Sequence, residues 1–248
     1  MMALTALPTS LHRINVLARK ELIIWLGSPA LYSITVFFVV FVSVWFYYIQ
    51  RFFAMDIASL RPFFEAFPLV FIFIIPVLTM RAWAEEKKSG SVEILFTLPF
   101  NEWELVLGKF LSCLALVSGM LILTLSVPLS LLPLSNFDLG VMLTEYTGVL
   151  LLGATALAVG LFLSSIAKNQ AAAFVGTVVV LLFLILINNF THNLPPLLAG
   201  FFNFISLSFH FESFSRGLLD SRDIAFFLLT TALFLFLNTQ VLIFRKWS

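Results

Sequence analysis

Charged residues are scarce in this chain of 248 residues. Asp, Glu, Lys and Arg together make up 11% of it, whereas 61% of the residues are hydrophobic. Because about a quarter of the residues in soluble domains are charged, this composition excludes an ordinary soluble domain. The 14 basic and 13 acidic residues nearly cancel, so the charge balance does not favour nucleic acid as a partner. The single cysteine, Cys113, excludes a disulfide within the chain.

Motifs for catalysis and nucleotide binding are also missing. No Gly-x-x-x-x-Gly-Lys-Ser/Thr sequence occurs, and Gly108-Lys109-Phe110 lacks both the upstream glycine and the hydroxyl residue. His210 and Glu212 lie close together, but two ligands without a third do not make a metal site. We therefore expect a non-catalytic chain that holds no cofactor and no metal.

What the chain does contain is six long apolar runs with few or no charges inside. Crossing a hydrocarbon layer of ~30 Å takes ~20 helical residues, so each run is long enough to span a membrane. We expect Pro128 and Pro133 to end or kink the third run. The sequence thus predicts an all-α polytopic membrane protein, with residues 1–248 as one transmembrane domain. The runs cover residues 30–49, 63–81, 104–132, 144–166, 171–189 and 224–244.

The basic residues predict the orientation. With six spans both chain ends lie on one side, and that side holds ten of the fourteen Lys and Arg residues. The positive-inside rule places it in the cytoplasm, so we expect a protein of the cell inner membrane with both termini cytoplasmic. The ten residues are Arg13, Arg19, Lys20, Arg81, Lys87, Lys88, Lys109, Lys168, Arg245 and Lys246.

Side-chain size predicts how the spans pack. The fourth and fifth runs are rich in small residues, including Ala156 and Gly160 at four-residue spacing and Gly176, which favours helix–helix contact. The second and sixth runs carry bulky residues on all sides, and we expect them to face lipid or pack loosely. No ionisable residue is expected deep within a run, which disfavours an ion-coupled carrier or an autonomous channel.

The segment ahead of the first run, residues 1–29, has an amphipathic pattern. Arg13, Arg19 and Lys20 fall on one side of a helical wheel and Trp25 on the other, with Leu11, Ile14, Ala18 and Leu22. This pattern favours a helix that lies in the plane of the lipid headgroups. The alternative is a basic flank of the first span without a helix of its own.

The densest block of charge follows the second run, in residues 82–103. We expect Gly90 to end a short helix and Pro99 to stop the segment that follows it. Such an element could be a handle on which another protein pushes, although a solvated membrane anchor is the plainer interpretation. The residues of interest are Glu85, Glu86, Lys87, Lys88, Gly90, Glu93, Leu98 and Pro99.

The order of these residues resembles the permeases of type 2 ABC transporters. In that family a glutamate-rich stretch, a glycine, a further glutamate, a proline stop and a glycine-lysine start follow the second span in this order. The resemblance implies that a cytoplasmic dimer of ATP-binding subunits, carrying ATP and Mg, docks on the segment from Glu85 to Pro99 and on the N-terminal helix. It also implies a second permease, either another copy or a related chain with a large external domain.

A second polar segment, residues 190–223, separates the last two runs. Glu212 and Arg216 are spaced to pair on one helical turn. In type 2 permeases this region forms short external or re-entrant helices that cap the pathway, which implies an external gate with Phe209, Phe211, Glu212 and Arg216. The stretch from Ser208 to Asp223 resembles most closely the gliding-motility branch of the family.

Two functional hypotheses follow. The first is the transmembrane permease subunit of an ABC exporter, coupled to ATP hydrolysis in a separate subunit. The second is a structural subunit of an envelope or gliding-motility machine that transmits force without moving a solute. The substrate does not follow from the sequence.

Overall fold

The computed structural model describes residues 10–50, 59–90, 100–131, 138–191 and 195–246. Within these ranges every regular element is helical, which confirms the all-α prediction. Helices satisfy their backbone hydrogen bonds internally, as a segment in hydrocarbon must. The helices are α1 (Ser10–Leu26), α2 (Pro29–Val44), α3 (Arg61–Phe64), α4 (Ala66–Thr79), α5 (Ala84–Lys88), α6 (Glu102–Thr124), α7 (Ser126–Leu131), α8 (Leu139–Ile166), α9 (Gln170–Phe190), α10 (Pro196–Ile205), α11 (Leu207–Ser215) and α12 (Ser221–Lys246).

Among the described residues, six helical stretches are long and apolar enough to cross a membrane, so the chain is a multi-pass membrane protein. The first combines α2 with a π-helical turn, Trp45–Ile49, and the second runs from α3 through α5. The six stretches are Pro29–Ile49, Arg61–Lys88, Glu102–Leu131, Leu139–Ile166, Gln170–Phe190 and Ser221–Arg245.

Two helix breaks lie at proline-containing sequences, and the second is the break predicted in the third run. Pro29 occupies the first turn of α2 directly after α1 ends, so Gly27-Ser28-Pro29 separates the two helices. The third span is interrupted at Leu125, between α6 and α7. Pro128 has no N–H to donate to the carbonyl four residues earlier, at Thr124, and α6 ends at that residue. Pro133 lies outside the described residues.

The second and fourth spans form the centre of the bundle. In an apolar stretch of 18 residues from the second span, 72% of the residues are buried within the protein. The corresponding share is 67% for the fourth span and 17% for the sixth. The expectation that the second span faces lipid is therefore wrong. A helix that is hydrophobic all round is also what a fully enclosed helix looks like, and periodicity does not separate the two cases.

Aromatic packing explains why the second span is central. Phe63 meets Phe67 edge to face at a centroid distance of 5.4 Å and meets Phe46 of the π-helical turn at 5.6 Å. Phe71 stacks on Phe38 of α2 at 6.2 Å. These geometries are the ones that aromatic pairs favour, so the phenylalanines join the first two spans.

The small residues of α8 lie in helix contacts, as predicted. A Cβ added at Gly148 would overlap Phe214, and one added at Gly160 would overlap Thr79. In α9 the prediction fails at Gly176, because nothing in the described part of the chain lies within 4 Å of its Cβ position, whereas Ala173 is buried. In an apolar stretch of 18 residues from the fifth span, only 28% of the residues are buried within the protein.

Both ends of the described chain meet at one end of the bundle, which we call the terminal face. Leu17 of α1, Trp83, Leu105 and Leu242 of α12 share one buried cluster there. The opposite face carries α3, α10, α11 and the beginnings of α8 and α12. This arrangement agrees with an even number of spans.

Substitution of Gly148 by valine should destabilise the bundle, because the added methyl groups have no room beside Phe214. We expect Gly148→Val to lower the free energy of unfolding by about 1–3 kcal/mol. Denaturant titration of the purified protein in detergent measures the change, and Gly176→Val is the matched control with open space around it. Equal stability of the two variants would contradict the packing described for α8.

Candidate functional site

The N-terminal helix packs on the beginning of α6 at the terminal face. Ile14, Leu17 and Ala18 are buried, and a Cβ added at Gly108 would overlap Leu17. Leu22 and Trp25 are half-buried, whereas Leu11, placed on the same side of the wheel, is 80% exposed. The amphipathic helix is thus confirmed, and its buried stripe is a contact with protein.

Arg13 is not a free headgroup anchor. Its guanidinium lies 3.7 Å from Glu104 Oε2, although the wheel placed it on the polar side with Arg19 and Lys20. Glu104 is fully buried, and its Oε2 accepts a hydrogen bond from the Asn101 backbone N–H at 3.0 Å. The ion pair therefore fastens α1 to the N-terminus of α6. Arg19 and Lys20 are exposed.

The centre of the terminal face is the ammonium of Lys109. Its Nζ lies 2.6 Å from Glu86 Oε1 and 3.2 Å from Glu21 Oε1, and it sits 5.0 Å from the centroid of the Trp83 ring. The Lys109 side chain is 3% exposed and the two carboxylates 14–18%. A buried ammonium is stable only with such partners, and here they come from different elements. We call Glu21, Trp83, Glu86 and Lys109 the Lys109 network.

A second set of bonds joins α5 to the end of α8. Lys87 Nζ donates to the carbonyl of Ser165 and to that of Ala167 at 3.1 Å. The Ser164 hydroxyl oxygen accepts from the backbone N–H of Trp83 at 3.2 Å. A cation on the last carbonyls of a helix complements its dipole, so Lys87 is a C-terminal cap of α8.

The predicted coupling residues therefore divide into two groups. Glu86 and Lys87 point into the protein, whereas Glu85 and Lys88 are exposed. Gly90 follows α5 with a φ of +70°, the left-handed conformation that ends a helix. The predicted break is confirmed. Glu93, Leu98 and Pro99 lie outside the described residues.

A cleft of about 250 Å³ opens between α1 and α5 beside the Lys109 network. Lys20, Trp25, Glu85 and Glu86 line it, so two sets of residues that sequence reasoning named separately come together here. The sequence did not predict that Lys109 pairs with Glu21 and Glu86. A lysine inside an apolar run, with carboxylates in the flanking segments, was the one local signal of such a pairing.

The opposite face has an ionic cluster of its own. Glu212 pairs with Arg216, as its spacing predicted, and lies 3.9 Å from Arg61. Phe211 is buried, whereas Phe209 is 42% exposed. The predicted gate residues thus share α11 and its end, and Arg61 is an additional partner that the sequence did not indicate.

Two further buried polar groups lie near this face. His210 Nδ1 is 2.7 Å from Asp223 Oδ1 and its Nε2 is 3.1 Å from the Phe204 carbonyl, so it joins α10, α11 and α12. In the described part of the chain no three metal-ligating side chains cluster. Glu145, near the beginning of α8, is 1% exposed, so its carboxyl group is buried within the protein.

Comparison with known proteins gives the family of the chain. The family described as ABC-2 family transporter protein matches residues 15–241, nearly the whole chain. No curated protein matches it.

Removal of the Lys109 ammonium should destabilise the terminal face, because it leaves two carboxylates half-buried together without their shared cation. We expect Lys109→Met to lower the free energy of unfolding by about 3–5 kcal/mol. Denaturant titration in detergent measures this loss. Arg19→Met, at an exposed position of α1, is the control and should change stability little. A Lys109→Met protein as stable as the control would rule out a stabilising role for the network.

Proposed function

This chain belongs to the ABC-2 family of transporter proteins and is a transmembrane subunit of an ABC transporter. From that premise we propose that it is the non-catalytic permease subunit of an ATP-driven exporter, which couples ATP hydrolysis in a separate subunit to movement of a cargo across the membrane. The observation that carries the proposal is the Lys109 network. It ties the short helix α5 to two long elements at one end of the bundle.

The hydrogen bonds and ion pairs of α5 determine which helices would move with it. Glu86 connects α5 through Lys109 to α6, and Glu21 extends the same connection to α1. Lys87 connects α5 to the end of α8, one of the two central helices. Because a bonded helix moves as a unit, displacement of α5 would shift α1, α6 and α8 together.

The outer surface of α5 supplies the docking surface in this proposal. Glu85 is exposed and lies 3.9 Å from Arg81, so its carboxylate is accessible from the terminal face. The partners are ABC ATP-binding subunits, which hold ATP and Mg. Their contact region includes the segment from Glu85 to Pro99 and α1.

The basic residues of the terminal face support a cytoplasmic position for it, with both termini on the cytoplasmic side of the cell inner membrane.

Exposed apolar residues of the peripheral spans support a second permease beside this one. Val175 and Val179 of α9 are 57% and 59% exposed, and Leu229 of α12 is 71% exposed. The second permease is another copy or, as in the gliding-motility branch that the sequence resembles, a related chain with a large external domain.

Docking and coupling can be tested with two adjacent carboxylates. Glu85→Lys should weaken copurification with the cognate ATP-binding subunit about tenfold, because it reverses an exposed charge on the docking surface. Glu86→Gln should retain copurification but lower cargo movement per ATP hydrolysed, because the link to Lys109 is lost. The measurements are copurification of coexpressed subunits, and ATPase and transport assays in proteoliposomes.

Arg222→Glu, also a charge reversal, is the matched control, since the Arg222 side chain is exposed on the opposite face. Unchanged copurification of Glu85→Lys would contradict the docking surface. Normal assembly and ATP turnover with no cargo movement by the unsubstituted complex would favour the force-transmitting structural subunit instead.

A further inference from the structure

A cleft of about 390 Å³ opens at the opposite face of the bundle. Its walls come from the π-helical turn after α2, from α3 and α4, from the end of α9 and from α11. It is separate from the cleft beside the Lys109 network, which lies at the terminal face. Its volume is in the range of ligand pockets.

The rim of this cleft is ionic and carries both signs. Arg61 Nε lies 3.3 Å from Glu65 Oε1, and its second nitrogen lies 3.9 Å from Glu212 Oε1. Glu212 also pairs with Arg216. The three charged side chains that line the cleft, Arg61, Glu65 and Glu212, are 39–45% exposed, so their charges are accessible to a ligand.

The rest of the cleft lining combines apolar and uncharged polar side chains. Pro68, Leu69, Ile185 and Phe211 are among the apolar ones, and the polar ones are Asn188, Asn189, Ser208 and Ser215. Trp45, in the π-helical turn, lines it as well, and its indole Nε1–H is buried without a hydrogen-bond acceptor in the part of the chain that the structure describes. A buried donor of this kind favours an acceptor oxygen from a bound molecule.

The charged groups of the cleft favour a ligand that carries both a positive and a negative charge. A purely anionic ligand would approach Arg61 beside two carboxylates, and a purely cationic one would approach those carboxylates beside Arg61 and Arg216. A zwitterion satisfies both signs, with its anionic oxygens on Arg61 and on the Trp45 N–H and its ammonium on Glu65 or Glu212. Phosphate oxygens suit the guanidinium, which binds them in a bidentate manner.

The surroundings indicate a lipid. The cleft lies between ends of membrane-spanning segments, and its volume fits a headgroup better than two acyl chains. Apolar side chains of the flanking spans are exposed next to it in sequence, with Val44 at 43%, Phe183 at 51% and Phe190 at 66%. Acyl chains could lie against such surfaces while the headgroup occupies the cleft.

We infer that the cleft on the opposite face binds the headgroup of a zwitterionic phospholipid that carries a phosphate and an ammonium. One point of the inference rests on the proposed function, namely that this cleft is the outer end of the cargo route. On that basis the cargo is an amphipathic zwitterion. Lipid binding itself depends only on the residues of the cleft.

Native mass spectrometry of the full chain, delipidated in detergent, tests the inference. Phosphatidylethanolamine should bind about tenfold more tightly than phosphatidylglycerol or diacylglycerol of the same chain length. Arg61→Gln and, independently, Trp45→Phe should reduce this preference, whereas Arg222→Gln, an exposed charge on the same face outside the cleft, should retain it. Equal binding of the three lipids, or an unchanged preference in both cleft variants, would overturn the inference.

Soluble phosphoethanolamine distinguishes a lipid site from a site for a free zwitterion. Weak competition, at concentrations far above those of the lipid, supports the lipid assignment, whereas binding as tight as that of the lipid overturns it. Copurification with the ATP-binding subunit is measured on the same preparations. If the unsubstituted chain shows no lipid preference but still copurifies, the inference alone is refuted. If it shows the preference but does not copurify, the proposed function alone is refuted.

Discussion

The terminal face depends on one buried ammonium. Lys109 lies in an apolar helix, 3% exposed, and is held by carboxylates from two other elements. Burying a charge costs several kcal/mol unless its partners are close and well oriented, so α1, α5 and α6 are held in a single arrangement by this requirement. The packing of Leu17 on Gly108 one residue away adds steric complementarity to the same junction. A short charged helix thereby becomes mechanically part of the bundle.

Polar interactions are concentrated at the two ends of the molecule, and the interior is joined mainly by shape. Gly148 and Gly160 let α8 approach its neighbours, and the phenylalanines of the second span fill the centre. A hydroxyl pair, Thr155 and Thr231 at 2.9 Å, links α8 to α12. Since lipid provides no hydrophobic force between helices, such close packing is what holds a bundle together. Ionic groups at either face can then contact a protein partner or a ligand.

Local features of this fold could be predicted from the sequence. Six spans, the break at Gly27-Ser28-Pro29, the end of α5 at Gly90 and the Glu212–Arg216 pair depend on neighbouring residues alone. The Lys109 network could not be predicted, because Glu21 and Lys109 are 88 residues apart. The central position of the second span was missed for a physical reason: apolar residues on every side suit lipid and a phenylalanine core equally well.

In the proposed coupling, Glu86 and Lys109 act as one unit between α5 and the membrane helices. A double-mutant cycle of Glu86→Gln and Lys109→Gln measures this coupling, with cargo moved per ATP hydrolysed in proteoliposomes as the readout. We expect an interaction of about 1–3 kcal/mol between the two sites, so that the double variant moves no less cargo than the less active of the two single variants. Additive losses would show that the two residues act independently and that they do not couple α5 to the membrane helices.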